Sequence, residues 1–153
     1  MVSQFVEIPL RQVRVLQTGE ASVKAILSLL VRDRTGVFRP VEFLMDPGSA
    51  ISTMTVARAE EAGIVVPERI VEIPVRTAVG RIIQRRHPGT IRVRVPGIVG
   101  REFLWPCHFI ESQDSTTSAA LGLAGVLDDF RIIFDGRYSL QARYGWVRLE
   151  LQR

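Results

Sequence analysis

Residues 41–53 read Val41-Glu42-Phe43-Leu44-Met45-Asp46-Pro47-Gly48-Ser49-Ala50-Ile51-Ser52-Thr53. An apolar strand runs into an acid, a tight turn and a further apolar position. A carboxylate held at a strand end beside apolar walls is costly to ionise alone, because burial disfavours the charged form. Gly48 allows a close backbone approach, having no Cβ. These conditions suit a catalytic aspartate. Asp-Pro-Gly-Ser is equally ordinary turn chemistry, and taken alone the segment leaves both readings open.

The chain on either side alternates short apolar runs with turn signals. Upstream, Val23, Ala25, Leu27, Leu29 and Val31 alternate as a half-buried strand does. Asp33-Arg34-Thr35-Gly36 reads as a hairpin turn, and Val37 to Met45 as the returning strand, with Pro40 marking an edge or bulge. Downstream, Val71 to Thr77, Arg81 to Arg86, Thr90 to Val95 and Glu102 to Ile110 read as strands, with Gly80 and Pro88-Gly89 as breaks. Arg131 to Phe134 and Arg137 to Gln141 flank Asp135-Gly136, a two-residue hairpin signal, and Trp146 to Leu151 alternates again. Two short helices are expected. Thr55 caps Val56 to Ala62, with Gly63 as a left-handed stop, and Ala124 to Phe130 forms the second. The pattern predicts a mainly β, barrel-like domain with two short helices.

With 153 residues, 46% hydrophobic and 24% charged, the chain suits one domain spanning 1–153 with a real core. The net charge is +4, carried almost wholly by arginine; Lys24 is the sole lysine. No apolar run is long enough to cross a membrane as a helix. Met1 to Leu10 carries Glu7 and Pro9 and lacks a basic stretch followed by an apolar core, so no signal peptide is expected. One cysteine, Cys107, supports neither an internal disulfide nor a cysteine-rich metal site. His87 and His108 lack metal-ligand spacing. No metal or other cofactor is expected, and a cytoplasmic location fits this usage.

The segment around Asp46 resembles the retropepsin-like aspartic proteases, whose signature is an apolar run followed by Asp-Thr/Ser-Gly-Ala/Ser. Asp46, Gly48 and Ser49 match, and Ala50 follows in the same loop. The resemblance continues in order over roughly residues 20 to 137. A short helix ending in Gly and an aliphatic residue matches Ala57 to Ile64. A flap hairpin matches Pro74 to Pro88, with Thr77-Ala78-Val79-Gly80 as its tip. The family's second apolar-Gly element matches Ala120-Leu121-Gly122, with a helix, strand and turn after it. The resemblance implies a closed β-barrel of the acid-protease type and an aspartic endopeptidase acting on peptide or protein.

Such chemistry needs two carboxylates sharing a proton, one acting as base on a water and the other as acid toward the scissile carbonyl. This sequence offers one motif. Asp128, Asp129 and Asp135 fall where capping and turn roles explain them. The second carboxylate is therefore expected from Asp46 of another subunit in a two-fold homodimer, with Val2 to Ile8 and Trp146 to Leu151 as terminal strands available to interleave. Pro47 departs from the family, whose Thr or Ser there supplies a hydroxyl linking the two active-site loops. Proline has neither hydroxyl nor N–H. The alternative is thus a catalytically silent domain of the same fold, binding peptide or mediating assembly. Arg76, Arg81, Arg85, Arg86, Arg92 and Arg94 form a basic stretch without an acid. A solvated strand face explains it, few aromatics stand nearby for base stacking, and nucleic-acid binding is not expected. Cys107 and His108, adjacent on a strand, point to opposite faces. Phe103, Trp105 and Phe109 share one face and read as core.

Overall fold

Alternation around Asp33-Gly36 builds the first hairpin of the molecule. The computed structural model describes residues 4–14, 18–77, 80–111 and 118–152. Strands β4 (Ile26–Arg32) and β5 (Phe38–Met45) pair antiparallel, with Leu27 opposite Phe43 and Leu29 opposite Val41. These four side chains and Val31 are buried. The turn is organised by Asp33, whose Oδ1 accepts from the Thr35 hydroxyl (2.6 Å) and from the N–H groups of Thr35 (2.8 Å) and Val37 (3.0 Å). Its Oδ2 accepts from Arg39 Nε at 2.7 Å. The Thr35 and Arg39 hydrogen bonds hold its carboxyl well below the usual carboxylate range.

Earlier in the chain, β1 (Phe5–Pro9), β2 (Arg11–Arg14) and β3 (Ala21–Lys24) precede the hairpin. Then follow β6 (Ser52–Thr55), α1 (Val56–Glu61), β7 (Val71–Thr77), β8 (Gly80–Arg94), β9 (Phe103–Ile110) and β10 (Ala119–Leu121). Helix α2 (Val126–Asp129), β11 (Phe130–Asp135) and β12 (Trp146–Leu151) complete the described chain. The main sheet has the order β4-β5-β10-β6-β9-β8-β7, and a further pairing of β4 with β8 (Leu30 to Arg94, Val31 to Val93) joins it into a ring with β7 left outside. The inward faces supply the core, including Leu27, Phe43, Met54, Trp105, Phe109 and Leu121. Phe130 closes it against Phe103 and Trp105, with ring centroids 4.9 and 6.2 Å away. Such aromatic pairs add to the burial energy.

Four local expectations are corrected. The run from Val23 to Val31 is not one strand: it breaks at Ala25, and β3 pairs with β2 in a separate ribbon. Pro88-Gly89 does not interrupt the chain, and β8 passes through it as one 15-residue strand. Pairing with β7 ends at Arg86 and pairing with β4 begins at Val93, so the proline sits where β8 has a ladder partner on one side only, β9. Gly89 is needed there because a Cβ would meet Pro67 at 2.9 Å and Phe109 at 3.1 Å. Arg137 to Gln141 is not a strand. The partner of β11 is β12, and Asp135 turns back on Arg137, accepting its N–H at 3.0 Å. Finally, α2 is shorter than Ala124 to Phe130, because Gly125 at φ +76° precedes it and Phe130 is already extended.

Helix α1 is as expected. Thr55 accepts from Arg58 N at 3.2 Å, and Gly63 follows at φ +71°. The terminal sheet has the order β1-β12-β11, so β12 is paired on both sides within one chain, with Phe5 opposite Glu150 and Phe130 opposite Leu151. Of the span Val2 to Ile8, Val2 and Ser3 lie outside the described residues. Among the described residues no helix is long and apolar enough to cross a membrane.

Candidate active site

Asp46 stands at the end of β5, one residue past its last ladder pair. Strand β10 runs parallel to β5 (Leu121 opposite Met45) and antiparallel to β6 (Ala120 opposite Thr53), so it threads between the strands that enter and leave the Asp46 loop. The Asp46 N–H donates to Leu121 O at 2.9 Å. Beyond β10, the N–H groups of Leu123 and Ala124 donate to Ser49 O (3.1 Å) and Ala50 O (2.8 Å). The loop is thus fastened at both arms by one short segment.

The segment and the loop are pressed together at Gly122. A Cβ there would lie 2.5 Å from the Ile51 carbonyl carbon and 2.8 Å from Ser52 N, both backbone atoms. The Gly122 N–H donates to Ser52 Oγ at 3.0 Å, and Ser52 is wholly buried. The apolar-Gly element Leu121-Gly122 therefore meets the Asp46 loop. The role of Ser52 was missed. A serine among apolar residues that ends up buried needs a hydrogen-bond partner, and that requirement is the only sequence signal for it.

Within the loop, Gly48 N–H donates to Asp46 Oδ1 (3.0 Å) and Ser49 N–H to Asp46 O (3.1 Å). The second bond closes a β-turn with Pro47 at its second position, where a φ fixed by the ring is pre-set for the turn. The turn expected of Asp-Pro-Gly-Ser is thus formed by these residues. Pro47, Gly48 and Ala50 are exposed, whereas Asp46 and Ser49 are half-buried. The Ser49 hydroxyl donates to Ile51 O at 2.8 Å and so is committed locally.

Asp46 opens onto a cleft of about 400 Å³ whose walls include Leu10, Val23, Lys24, Leu44, Pro47 and Phe134. Val23 and Phe134 are each 48% exposed, an apolar rim beside a carboxylate. Asp128, Asp129 and Asp135 do not line this cleft. Asp129 Oδ2 instead accepts from the indole N–H of buried Trp105 at 2.8 Å, a role that capping did not anticipate. Asp135 pairs with Arg137, whose hydrogen bonds push its carboxyl down to about 2.

The hairpin of β7 and β8 pairs from Val71–Arg86 to Thr77–Gly80, with Gly80 at φ +121°. Ala78 and Val79 lie outside the described residues. Among the described residues this hairpin contributes nothing to the Asp46 cleft. Its base is anchored at His87, whose Nδ1–H donates to Pro67 O (2.6 Å) and whose Nε2 meets Glu111 Oε1 (2.6 Å). Carboxylates meet part of the basic stretch: Arg85 lies 3.4 Å from Glu111, and Arg94 lies 2.6 Å from Glu102. Cys107 is buried in the core, where desolvation pushes its thiol up to about 12. His108 faces away and beside Arg86; burial first, and that positive charge second, lower its pKa. Among the described residues no cluster of potential metal ligands occurs.

Among solved structures, the chain is similar to a crystal structure of a retropepsin-like aspartic protease from Rickettsia conorii. The TM-score is 0.54 at 16% sequence identity, covering 99% of this chain and 95% of that one. The fold is retropepsin-like. No family model matches the sequence, and no curated protein does. At this identity the likeness is one of overall architecture.

Proposed function

We propose that this chain is one half of an aspartic peptidase, with its active site assembled from Asp46 of two copies. The observation that carries the reading is the setting of Asp46. Its carboxylate leaves the end of β5 in a loop held rigid by β10 and Gly122, and opens onto an apolar cleft. A single carboxylate cannot act as base and acid at once, and Asp129 and Asp135 are committed elsewhere. A two-fold axis beside the loop supplies the second copy of the same group.

In the dimer one Asp46 is ionised and the other protonated, since two close like charges do not both ionise readily. The ionised group takes a proton from a water. The protonated one gives its proton to the scissile carbonyl oxygen as the water attacks; the first then passes the proton it took from water to the amide nitrogen as the C–N bond breaks, and the second recovers a hydroxyl proton as the new carboxyl group forms. The β7–β8 hairpin, held at His87 and led by Thr77 and Gly80, is the element proposed to fold over a bound peptide and exclude water. The likeness to a retropepsin-like aspartic protease supports this assignment.

A second reading, a catalytically silent domain that binds peptide or assembles, is favoured by one specific observation. Pro47 lacks the hydroxyl, and the nearby Ser49 hydroxyl is already bonded to Ile51 O. The test is cleavage of an unstructured protein by the parent and by Asp46→Asn, with sizing of both in solution and a pepstatin-type inhibitor as control. The peptidase reading expects a dimer whose cleavage is lost in Asp46→Asn with fold and size unchanged. Equal cleavage by that variant, or a strictly monomeric active parent, rejects it.

A further inference from the structure

We infer that the far end of the β4–β5 hairpin carries a docking groove for an acidic peptide segment with aliphatic side chains, separate from the Asp46 cleft. The groove measures about 310 Å³ and is lined by Arg32, Arg34, Ile64, Val65, Arg92 and Leu104. Its separation follows from the register. Ile26 pairs with Leu44 beside the Asp46 loop, whereas Arg32 pairs with Phe38 at the opposite end. Six strand residues at about 3.3 Å each place the two sites about 20 Å apart along the hairpin.

The chemistry of the walls selects the occupant. Val65 is 66% exposed and Leu104 56% exposed, with buried Ile91 beneath, so water rests on aliphatic surface that a ligand would cover. Three guanidinium groups surround this surface. Among the described residues neither Arg32 nor Arg34 has an ion-pair partner. Arg92 has only a long contact with Glu102, at 3.9 Å, and Glu102 sits closer to Arg94. Among the described residues the one acid in the wall, Asp33, is consumed by Thr35, Val37 and Arg39. The groove is therefore positively charged and apolar at once, which complements carboxylates alternating with aliphatic groups. Among the described residues it has no aromatic side chain on which a base would stack.

The experiment is fluorescence anisotropy of a fluorescein-labelled peptide in which leucine and isoleucine alternate with glutamate and aspartate, titrated with the full chain. The parent should bind this peptide in a salt-sensitive way and should not bind the matching peptide of lysine and arginine. The double variant Arg32→Glu/Arg34→Glu should bind about tenfold more weakly or worse, and Val65→Ser/Leu104→Ser should also lose affinity. Both pairs are exposed, so circular dichroism is expected to show an unchanged fold. Asp46→Asn should bind as the parent does, whatever its peptidase activity. Equal binding by the arginine variants overturns the proposal. So does loss of binding in Asp46→Asn, which would place the peptide in the other cleft. Equal affinity for an acidic peptide without aliphatic side chains, or for single-stranded RNA, would reduce the groove to a general polyanion surface and overturn it as well.

Discussion

Gly122→Ala is expected to be among the most damaging single-methyl additions available in this chain. The new Cβ would meet the Ile51 carbonyl carbon at 2.5 Å, its oxygen at 2.7 Å and Ser52 N at 2.8 Å. All three are backbone, so no side chain can rotate away. Overpacking of this kind costs roughly 1–3 kcal/mol. Displacing the Gly122 N–H from Ser52 Oγ, a 3.0 Å bond in a wholly buried setting, adds about 1 kcal/mol. For a domain of this size 1 kcal/mol corresponds to about 2–4 °C, so the melting temperature should fall by roughly 5–15 °C. Gly136→Ala is the control. Nothing lies within 4 Å of its Cβ position and its φ is not positive, so its change should stay within about 0.5 kcal/mol. The assay is thermal unfolding followed by circular dichroism, together with peptide cleavage at a temperature where both variants are folded. Under the dyad reading, Gly122→Ala lowers kcat more than it changes KM, because it moves the Asp46 loop. If Gly122→Ala melts with Gly136→Ala, the contact between β10 and the loop has been misread.

Asp129→Ala leaves the buried Trp105 indole N–H without its acceptor and should cost about 1–3 kcal/mol in urea unfolding, whereas Asp129→Asn retains an acceptor and should cost less. Equal midpoints for the two variants would refute this role. Asp33 has its folded pKa depressed, so its contribution is complete above the unfolded carboxylate value of about 4 and is lost as pH falls through the lower folded value. The stability gap between parent and Asp33→Asn should thus be flat from neutral pH to about 4 and shrink below it; a gap that widens on acidification contradicts the assignment. Pro47→Thr restores the hydroxyl at the cost of a pre-set turn angle, so melting should fall slightly, by about 0.4–1 kcal/mol, while peptidase activity rises. Unchanged or lower activity rejects Pro47 as the limiting feature.

The legibility of this sequence follows from which interactions are local. Alternation placed β4, β5, β9 and β12, because period-two burial is written in consecutive residues. Thr55 and Gly63 bounded α1 through short-range capping. What failed depended on distant partners. Pro88 and Gly89 look like a break, yet Gly89 is required by Pro67 and Phe109, and Pro88 is tolerated because β7 has already ended. Asp135-Gly136 looks like a hairpin, yet β11 finds its partner in β12, farther along the chain. At the site, Asp46 and Gly48 were visible as a motif, and Leu121-Gly122 through the resemblance. Ser52 and Asp129 were not, since their hydrogen bonds join segments about 70 and 24 residues apart, and no local pattern encodes them.

Lys24 is the sole side-chain amine in the chain, and it lies in the wall of the cleft that holds Asp46. Reagents selective for amines therefore have one side-chain target, and that target reports on one location. Acylation with a small fluorophore would convert the cleft into its own sensor. Whatever fills that space, be it substrate, inhibitor or a sister molecule, would register as protection of a single lysine.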